Sequence, residues 1–144
     1  MQVDLLFPQV LWVGIGCQKR ISPQLISAAI EKVFREYQLT HTDIAGIATI
    51  DIKASEFGLR EFCRINNLPL KTFTAEILAG VCVPNPGKII TETVGTPSVA
   101  EASAIIAAAQ MTSEVTLLVP KQIFRLPGEA GAVTVAVAGI GNRE

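Results

Sequence analysis

The chain has 144 residues, of which 49% are hydrophobic and 17% charged, so it can bury the core of one domain but is too short for two ordinary ones. Its 12 basic and 13 acidic side chains give a formal net charge of −1. Because charges of both signs are scattered and no basic block stands out, the composition excludes a protein that binds nucleic acid by electrostatic attraction.

The first predicted element is a buried strand over Val10–Ile15, an apolar run that Gly16 stops. After a short turn, Ser22 and Pro23 form an N-cap with proline at the first helical position. Apolar residues then recur at helical spacing as far as Tyr37, which predicts an amphipathic helix.

The second strand is predicted over Ile44–Ile50, which is apolar on both faces as in a parallel sheet covered on both sides. Asp51-Ile52-Lys53 leaves the carboxyl end of this strand. A second helix is predicted from about Ser55 to Asn66, and a short third strand over Leu70–Phe73.

A brief helix is predicted from Thr74, its cap, to Leu78, with Gly80 as its stop. A loop rich in proline and glycine follows over 81–88. The next stretch, Ile89–Val94, fits either a strand or a helix, and the sequence leaves this choice open.

The pattern Ser98-x-x-Glu101, placed directly before an alanine-rich run that ends near Met111, predicts a helix that begins with a capping box. Ser98 is expected to accept a hydrogen bond from the N–H three residues on, and Glu101 to reach back to the N–H of Ser98. An exposed helix start suits an anionic ligand, because its N–H groups are unpaired. Alternatively, the two residues only cap the helix.

The last two strands are predicted over Val115–Val119, ended by Pro120, and over Ala132–Ala138. Since the connection between them shows no helical period, the last pair should be antiparallel. The sequence therefore predicts one α/β domain over residues 1–144, with its core at about 10–138. We expect three α/β/α layers around a mixed, mostly parallel sheet of about five strands, the last one antiparallel.

Ligands of open α/β sheets bind beyond the carboxyl ends of the strands. Four stretches should meet there, namely Gly14–Arg20, Asp51–Glu56, Gly95–Glu101 and Pro120-Lys121. Three of them carry lysine or arginine beside a strand end, and together with helix starts these cations suit carboxylates or phosphates. The pair Gly14-x-Gly16 lacks the third glycine of the dinucleotide fingerprint, and no P-loop is present.

Three side chains in these stretches are candidates for chemistry. Cys17 lies between a strand and a helix, where a thiolate would be favoured, although a small residue packed beneath the turn is the more common case at such a position. The only histidine in the sequence that could pair with Cys17 is His41, which falls in a loop at the far end of the sheet. Asp51 and Glu56 could form an acid–base pair, or Asp51 could close the turn while Glu56 faces the positive end of the second helix.

The three cysteines, Cys17, Cys63 and Cys82, are far apart, so we predict neither a zinc site nor a disulfide framework, and a reducing cytoplasm fits. No apolar run is long enough to cross a bilayer, and the first residues lack the basic start of a signal peptide. We therefore expect a cytoplasmic protein without metal or cofactor and without a membrane or nucleic-acid partner.

Four motifs follow one another along the chain. They are Gly14-Ile15-Gly16-Cys17, Ala48-Thr49-Ile50-Asp51-x-Lys53-x-x-Glu56-x-Gly58-Leu59, Val94-Gly95-x-x-Ser98-Val99-Ala100-Glu101-Ala102 and Leu118-Val119-Pro120-Lys121. With these motifs the chain, from about Val10 to Ala138, resembles the C-terminal domain of the cobalamin-biosynthesis protein CbiG and its free-standing relative CobE. It departs from the family pattern at Gln18-Lys19-Arg20 and at Gly87.

The resemblance implies work on a precursor of the corrin ring. Full-length CbiG-like proteins open the δ-lactone of cobalt-precorrin-5A and release acetaldehyde, and they carry an additional N-terminal domain, which we do not expect in this chain. Three roles stay open for this chain: lactone hydrolysis, binding and handing on of an intermediate, and non-catalytic docking on another corrin-pathway enzyme.

Corrin precursors carry many acetate and propionate groups, which suit the basic groups and capped helix starts found above. The predicted substrate-binding residues are Gly14, Gly16, Cys17, Lys19, Arg20, Lys53, Gly95, Ser98, Glu101 and Lys121. The catalytic candidates are Asp51, Glu56 and Cys17.

Overall fold

The computed structural model describes residues 11–17, 20–81, 98–128 and 131–140. Two of the predicted binding residues, Lys19 and Gly95, lie outside these ranges, as do Cys82, Gly87 and the ambiguous stretch Ile89–Val94. Within the described ranges, no helix is both long enough and apolar enough to span a bilayer.

The strands and helices alternate along the chain as predicted. In order they are β1 (Leu11–Cys17), α1 (Pro23–Glu36), β2 (Ile44–Ile50), α2 (Phe57–Asn66), β3 (Leu70–Phe73), α3 (Ala75–Ala79), α4 (Val99–Ala109), β4 (Val115–Phe124) and β5 (Val133–Ile140). Single turns of 3₁₀ helix, His41–Asp43 and Asp51–Lys53, flank β2. The second of these turns delays the start of α2 to Phe57, two residues after the predicted start.

One five-stranded sheet with the order β3-β2-β1-β5-β4 connects these elements. β1 pairs with β2 and β2 with β3 in parallel, whereas β5 is antiparallel to both of its neighbours, β1 and β4. β4 therefore runs in the same direction as the first three strands. The predicted mixed sheet, with its last strand antiparallel, is confirmed.

Side chains of β1 alternate between the two faces of the sheet, as a pleated strand requires. Val13 and Ile15 belong to a core shared with α1, α2 and the valines of β5, and this core is named cluster one. Trp12 belongs to a second core shared with α3 and α4, named cluster two. Helices therefore cover both faces, and the predicted three-layer architecture is confirmed.

The prediction that Pro120 ends its strand is wrong. β4 continues through Pro120 to Phe124 and shifts register against β5 between Val119 and Gln122. Proline lacks an N–H for a strand ladder, and it is tolerated here because β4 is an edge strand with an irregular register at this point. Lys121 consequently lies within a strand and not at its end.

Candidate functional site

The carboxyl ends of β1, β2, β3 and β4 lie at the same end of the sheet, because all four run in the same direction. Helices α1 and α2 pack on one face and α4 on the other. The chain thus changes face beside β1, which is where α/β proteins of this kind bind ligands.

A side chain-to-backbone hydrogen bond joins the turn after β1 to the start of α2. Arg20 has a φ of 64°, in the left-handed region, and its N–H donates to Oε1 of Glu56 at 3.1 Å. The carboxylate of Glu56 therefore supports a backbone conformation that is unfavourable for an arginine. Glu56 is also the N-cap residue of α2, although its side chain makes no capping hydrogen bond to that helix. That its carboxylate faces the positive end of α2 stays a prediction.

The starts of α1 and α2 approach each other closely at this point. Ser22 caps α1, and its Oγ accepts from the N–H of Leu25 at 3.0 Å. A Cβ atom at Gly58 would lie only 1.8 Å from the carbonyl oxygen of Ile21, so α2 can pack here only through glycine. An open cavity of about 510 Å³ lies between the two starts, lined by Arg20, Ile21, Ser22, Pro23, Glu56, Phe57 and Gly58.

The fold brings Cys17, Lys53 and Glu56 together at the carboxyl ends of β1 and β2. Burial of the Cys17 thiol raises its pKa, and the attraction of the Lys53 ammonium opposes this rise only in part. Of the two alternatives for Cys17, the thiolate is therefore disfavoured, and the burial agrees with a small residue packed beneath the turn. His41 lies before β2, at the other end of the sheet, with its ring 5.1 Å from that of Phe34.

Two cations lie near the start of α2: Arg20 lines the cavity, and Lys53 is in the 3₁₀ turn that precedes this helix. Arg20 is exposed and Lys53 half-buried. Neither forms an ion pair with any residue that the structure describes. Both charges are thus available to an anionic ligand at the ends of β1 and β2.

The start of α4 lies against β1 from the opposite face. Ser98 Oγ accepts from the N–H of Glu101 at 3.0 Å, as the capping box predicted. The Glu101 carboxylate was expected to bond the N–H of Ser98, but its Oε2 accepts from the N–H of Lys121 at 3.0 Å. Glu101 therefore joins α4 to the edge strand β4.

The remaining candidates are spread along the sheet. Asp51 is exposed in the turn after β2, and its backbone carbonyl accepts from the N–H of Ala54. Lys121 is exposed on β4, which β1 and β5 separate from β2 and Lys53. At the usual strand spacing this separation is roughly 14 Å, so these two lysines are not neighbours. That they contact the same ligand stays a prediction.

Two buried hydroxyl groups form hydrogen bonds to the backbone near the carboxyl ends of β1 and β2. Neither was assigned a role from the sequence. Thr49 Oγ1 donates to the carbonyl oxygen of Ile15 at 2.6 Å, just beyond the last paired residues of β1 and β2. Ser103 Oγ is within bonding distance of the carbonyls of Ala48, 3.2 Å, and Ala100, 3.3 Å. Polar residues inside apolar runs were the available signal, because buried hydroxyls require partners.

Two exposed apolar side chains were also missed. Ile52 is 73% exposed in the turn after β2, and Phe57 is 70% exposed at the first position of α2. The sequence signal was an aromatic residue ahead of the apolar stripe of α2. Within the described part of the chain, no group of three or more histidine, cysteine, aspartate or glutamate side chains could hold a metal ion.

The model of the family described as "Cobalamin synthesis G C-terminus" matches residues 11–138 of the chain. The cobalt-precorrin-5A hydrolase of Priestia megaterium is 28% identical to this chain over 131 residues, which are 91% of this chain and 32% of that protein. The chain thus spans about a third of the length of that relative.

Two solved structures resemble the fold. The first is CobE, described as a protein from the cobalamin (vitamin B12) biosynthetic pathway, with a TM-score of 0.71 and 24% identity over 92% of this chain and 94% of that one. The second is the cobalamin biosynthesis protein chiG from Agrobacterium tumefaciens str. C58, with a TM-score of 0.66 and 30% identity over 92% of this chain and 100% of that one.

Proposed function

Since this chain belongs to the cobalamin synthesis G C-terminus family and is related to the C-terminal part of cobalt-precorrin-5A hydrolase, we propose that it binds a corrin-ring precursor at the carboxyl ends of β1 and β2. The observation that carries the proposal is the pair of cations without ion-pair partners among the described residues, Arg20 and Lys53, beside an open cavity. A precursor rich in acetate and propionate groups offers each cation a carboxylate. Such a role belongs in the cytoplasm.

Several contacts must act together for this binding to be useful. An exposed ion pair contributes only about 0–1 kcal/mol, so neither cation alone would hold the ligand. Arg20 can bind a carboxylate through two parallel N–H groups, and half-buried Lys53 is partly shielded from water. A ligand with carboxylates around its rim satisfies both cations at once.

Glu56 is the acid–base candidate that the geometry supports best, should the bound precursor be hydrolysed here. Lactone hydrolysis adds water to the carbonyl carbon, breaks the ring C–O bond and leaves a carboxylic acid and a hydroxyl. Glu56 lines the cavity and is held by Arg20, whereas Asp51 lies outside the lining and Cys17 stays a neutral thiol. Glu56 would take the proton from the attacking water.

A titration with cobalt-precorrin-5A, followed by absorbance at two salt concentrations, tests the binding. Arg20→Met and Lys53→Met should each weaken binding several-fold and reduce its salt dependence. Arg35→Met is the matched control, because Arg35 lies in the last turn of α1, at the opposite end of that helix. The affinity of Lys121→Met shows separately whether the ligand reaches β4: it falls if the ligand contacts Lys121 and is unchanged if it does not.

Binding that responds neither to salt nor to Arg20→Met and Lys53→Met would refute the proposed site. Release of acetaldehyde requires a further step, in which the carbon that bears the new hydroxyl becomes the aldehyde carbon and its C–C bonds to the ring break. Acetaldehyde measured in the same samples therefore tells lactone opening followed by this cleavage from binding alone. If acetaldehyde is formed, Glu56→Gln should abolish it without weakening the binding, because the change removes a negative charge beside the carboxylates of the ligand.

A further inference from the structure

The side chains of Phe57 and Ile52 expose apolar surface to water, and this exposure does not stabilise the fold. They are the two most exposed large apolar residues of the described chain, at 70% and 73%. The core stripe of α2 consists of Leu59, Phe62 and Cys63. Phe57 lies outside that stripe, so its ring contributes little to the fold.

Both residues border the proposed anion site. Phe57 lines the cavity together with Arg20 and Glu56. Ile52 directly precedes Lys53 in the 3₁₀ turn, and a hydrogen bond of 3.0 Å from the N–H of Glu56 to the carbonyl of Lys53 holds that turn against the start of α2. Apolar and cationic residues therefore alternate in the segments that follow β1 and β2 and lead into α2.

This combination selects for a particular ligand shape. A small inorganic anion would use the cations but would leave Phe57 and Ile52 in water. A conjugated macrocycle with carboxylates at its rim uses both kinds of group, because the ring packs on the phenyl and sec-butyl surfaces while the rim reaches the cations.

We infer that Phe57 and Ile52 form a shelf on which one face of the tetrapyrrole ring packs, while Arg20 and Lys53 bind its peripheral carboxylates. This inference rests on the proposed function and adds the part of the site that recognises the ring itself. Phe57 makes the larger contribution, since its planar side chain can stack on a conjugated ring.

Uroporphyrin, a tetrapyrrole with eight carboxylates, is a suitable probe, and its fluorescence follows binding to the full chain. Phe57→Ala should weaken binding about tenfold and Ile52→Ala less, whereas Phe57→Leu should recover part of the loss. Ile65→Ala is the matched control, because Ile65 is 63% exposed on the same helix, two turns beyond the cavity. It should bind like the wild type.

The salt dependence separates the shelf from the cations. Phe57→Ala should keep the salt dependence of the wild type, since Arg20 and Lys53 are untouched, and its thermal midpoint should not change. Failure of the wild type to bind either uroporphyrin or cobalt-precorrin-5A would overturn the proposed function and the shelf together. Unchanged affinity of Phe57→Ala in a wild type that does bind would overturn the shelf alone. Loss of self-association in Phe57→Ala without tetrapyrrole would make the shelf a contact between copies and would also overturn it.

Discussion

Gly14 determines how closely α4 approaches the sheet. A Cβ atom at this position would lie 1.8 Å from the carbonyl oxygen of Ala100, in the first turn of that helix. A backbone atom cannot move aside as a side chain can. Gly14→Ala should therefore cost more than about 3 kcal/mol of stability, as an overpacked core substitution does at its most severe. Denaturant unfolding measures the loss.

Gly16 provides the control for this substitution on the same strand. A Cβ there would meet its nearest neighbour, the Cβ of Thr134, at an ordinary 3.7 Å. Gly16→Ala should change the free energy of unfolding by less than about 1 kcal/mol. Equal losses in the two variants would show that close packing of α4 is not what Gly14 serves.

Cys63 should make the protein sensitive to alkaline pH. Its burial in cluster one, on the inner side of α2, raises the pKa of the thiol to about 11, from 9.0 for a free group. The unfolded chain therefore loses this proton at a lower pH than the folded chain. Stability from this group is complete below pH 9.0 and should fall by roughly 1–3 kcal/mol as the pH rises to about 11.

Comparing the wild type with Cys63→Ala separates the contribution of this thiol from those of other groups that titrate at high pH. The variant loses some packing at every pH, but its stability should decline less between pH 9 and 11. Parallel declines of the two proteins would contradict the assignment.

Cys17 shows where reasoning from the sequence reached its limit at the level of single residues. Its position between a strand and a helix was predicted correctly from local pattern. Its ionisation could not be decided there, because the burial that raises its pKa comes from residues distant in the chain. The bond from Arg20 to Glu56 spans 36 residues and was hidden for the same reason.

Helix starts were the most predictable elements. Ser22, Thr74 and Ser98 each accept a hydrogen bond from an N–H three residues on, and each was predicted as a cap. Capping depends on a few neighbouring residues, so a local pattern is sufficient. Pro120 was misjudged because its tolerance depends on β4 lying at the sheet edge, which only the strand order reveals.

The cap of α4 leads to a prediction about this element. Ser98→Ala removes the acceptor for the N–H of Glu101 and should cost about 1 kcal/mol of stability. Ser98→Gly should cost only a few tenths, since glycine is tolerated at this position. Thermal unfolding of both variants measures the difference. Identical losses would mean that the hydroxyl does not stabilise the helix start.

At the scale of the molecule, the sequence predicted that the candidate residues lie at the carboxyl ends of the strands, but not which of them are neighbours. Cys17, Arg20, Lys53 and Glu56 come together around β1 and β2. Lys121 lies two strands away on β4, because β5 inserts between β1 and β4. Strand order depends on the connections of the whole chain, which composition and spacing do not contain.

The same strand order leads to a prediction about cooperativity. Clusters one and two lie on opposite faces of the sheet, and β1 contributes alternate side chains to both. Loss of either cluster exposes the central strand, so the two should unfold together as one two-state unit. Trp12, the sole tryptophan, is 3% exposed in cluster two and reports on that face by fluorescence.

Leu59→Ala tests this coupling from the other face. Leu59 is fully buried in cluster one, and its truncation should cost about 2–5 kcal/mol. In guanidinium, the midpoint of Trp12 fluorescence should shift to lower concentration by the same amount as the midpoint of far-ultraviolet circular dichroism. A fluorescence midpoint that stays at its wild-type value while the dichroism midpoint shifts would show that cluster two folds without cluster one. The sheet would then join two independent cores.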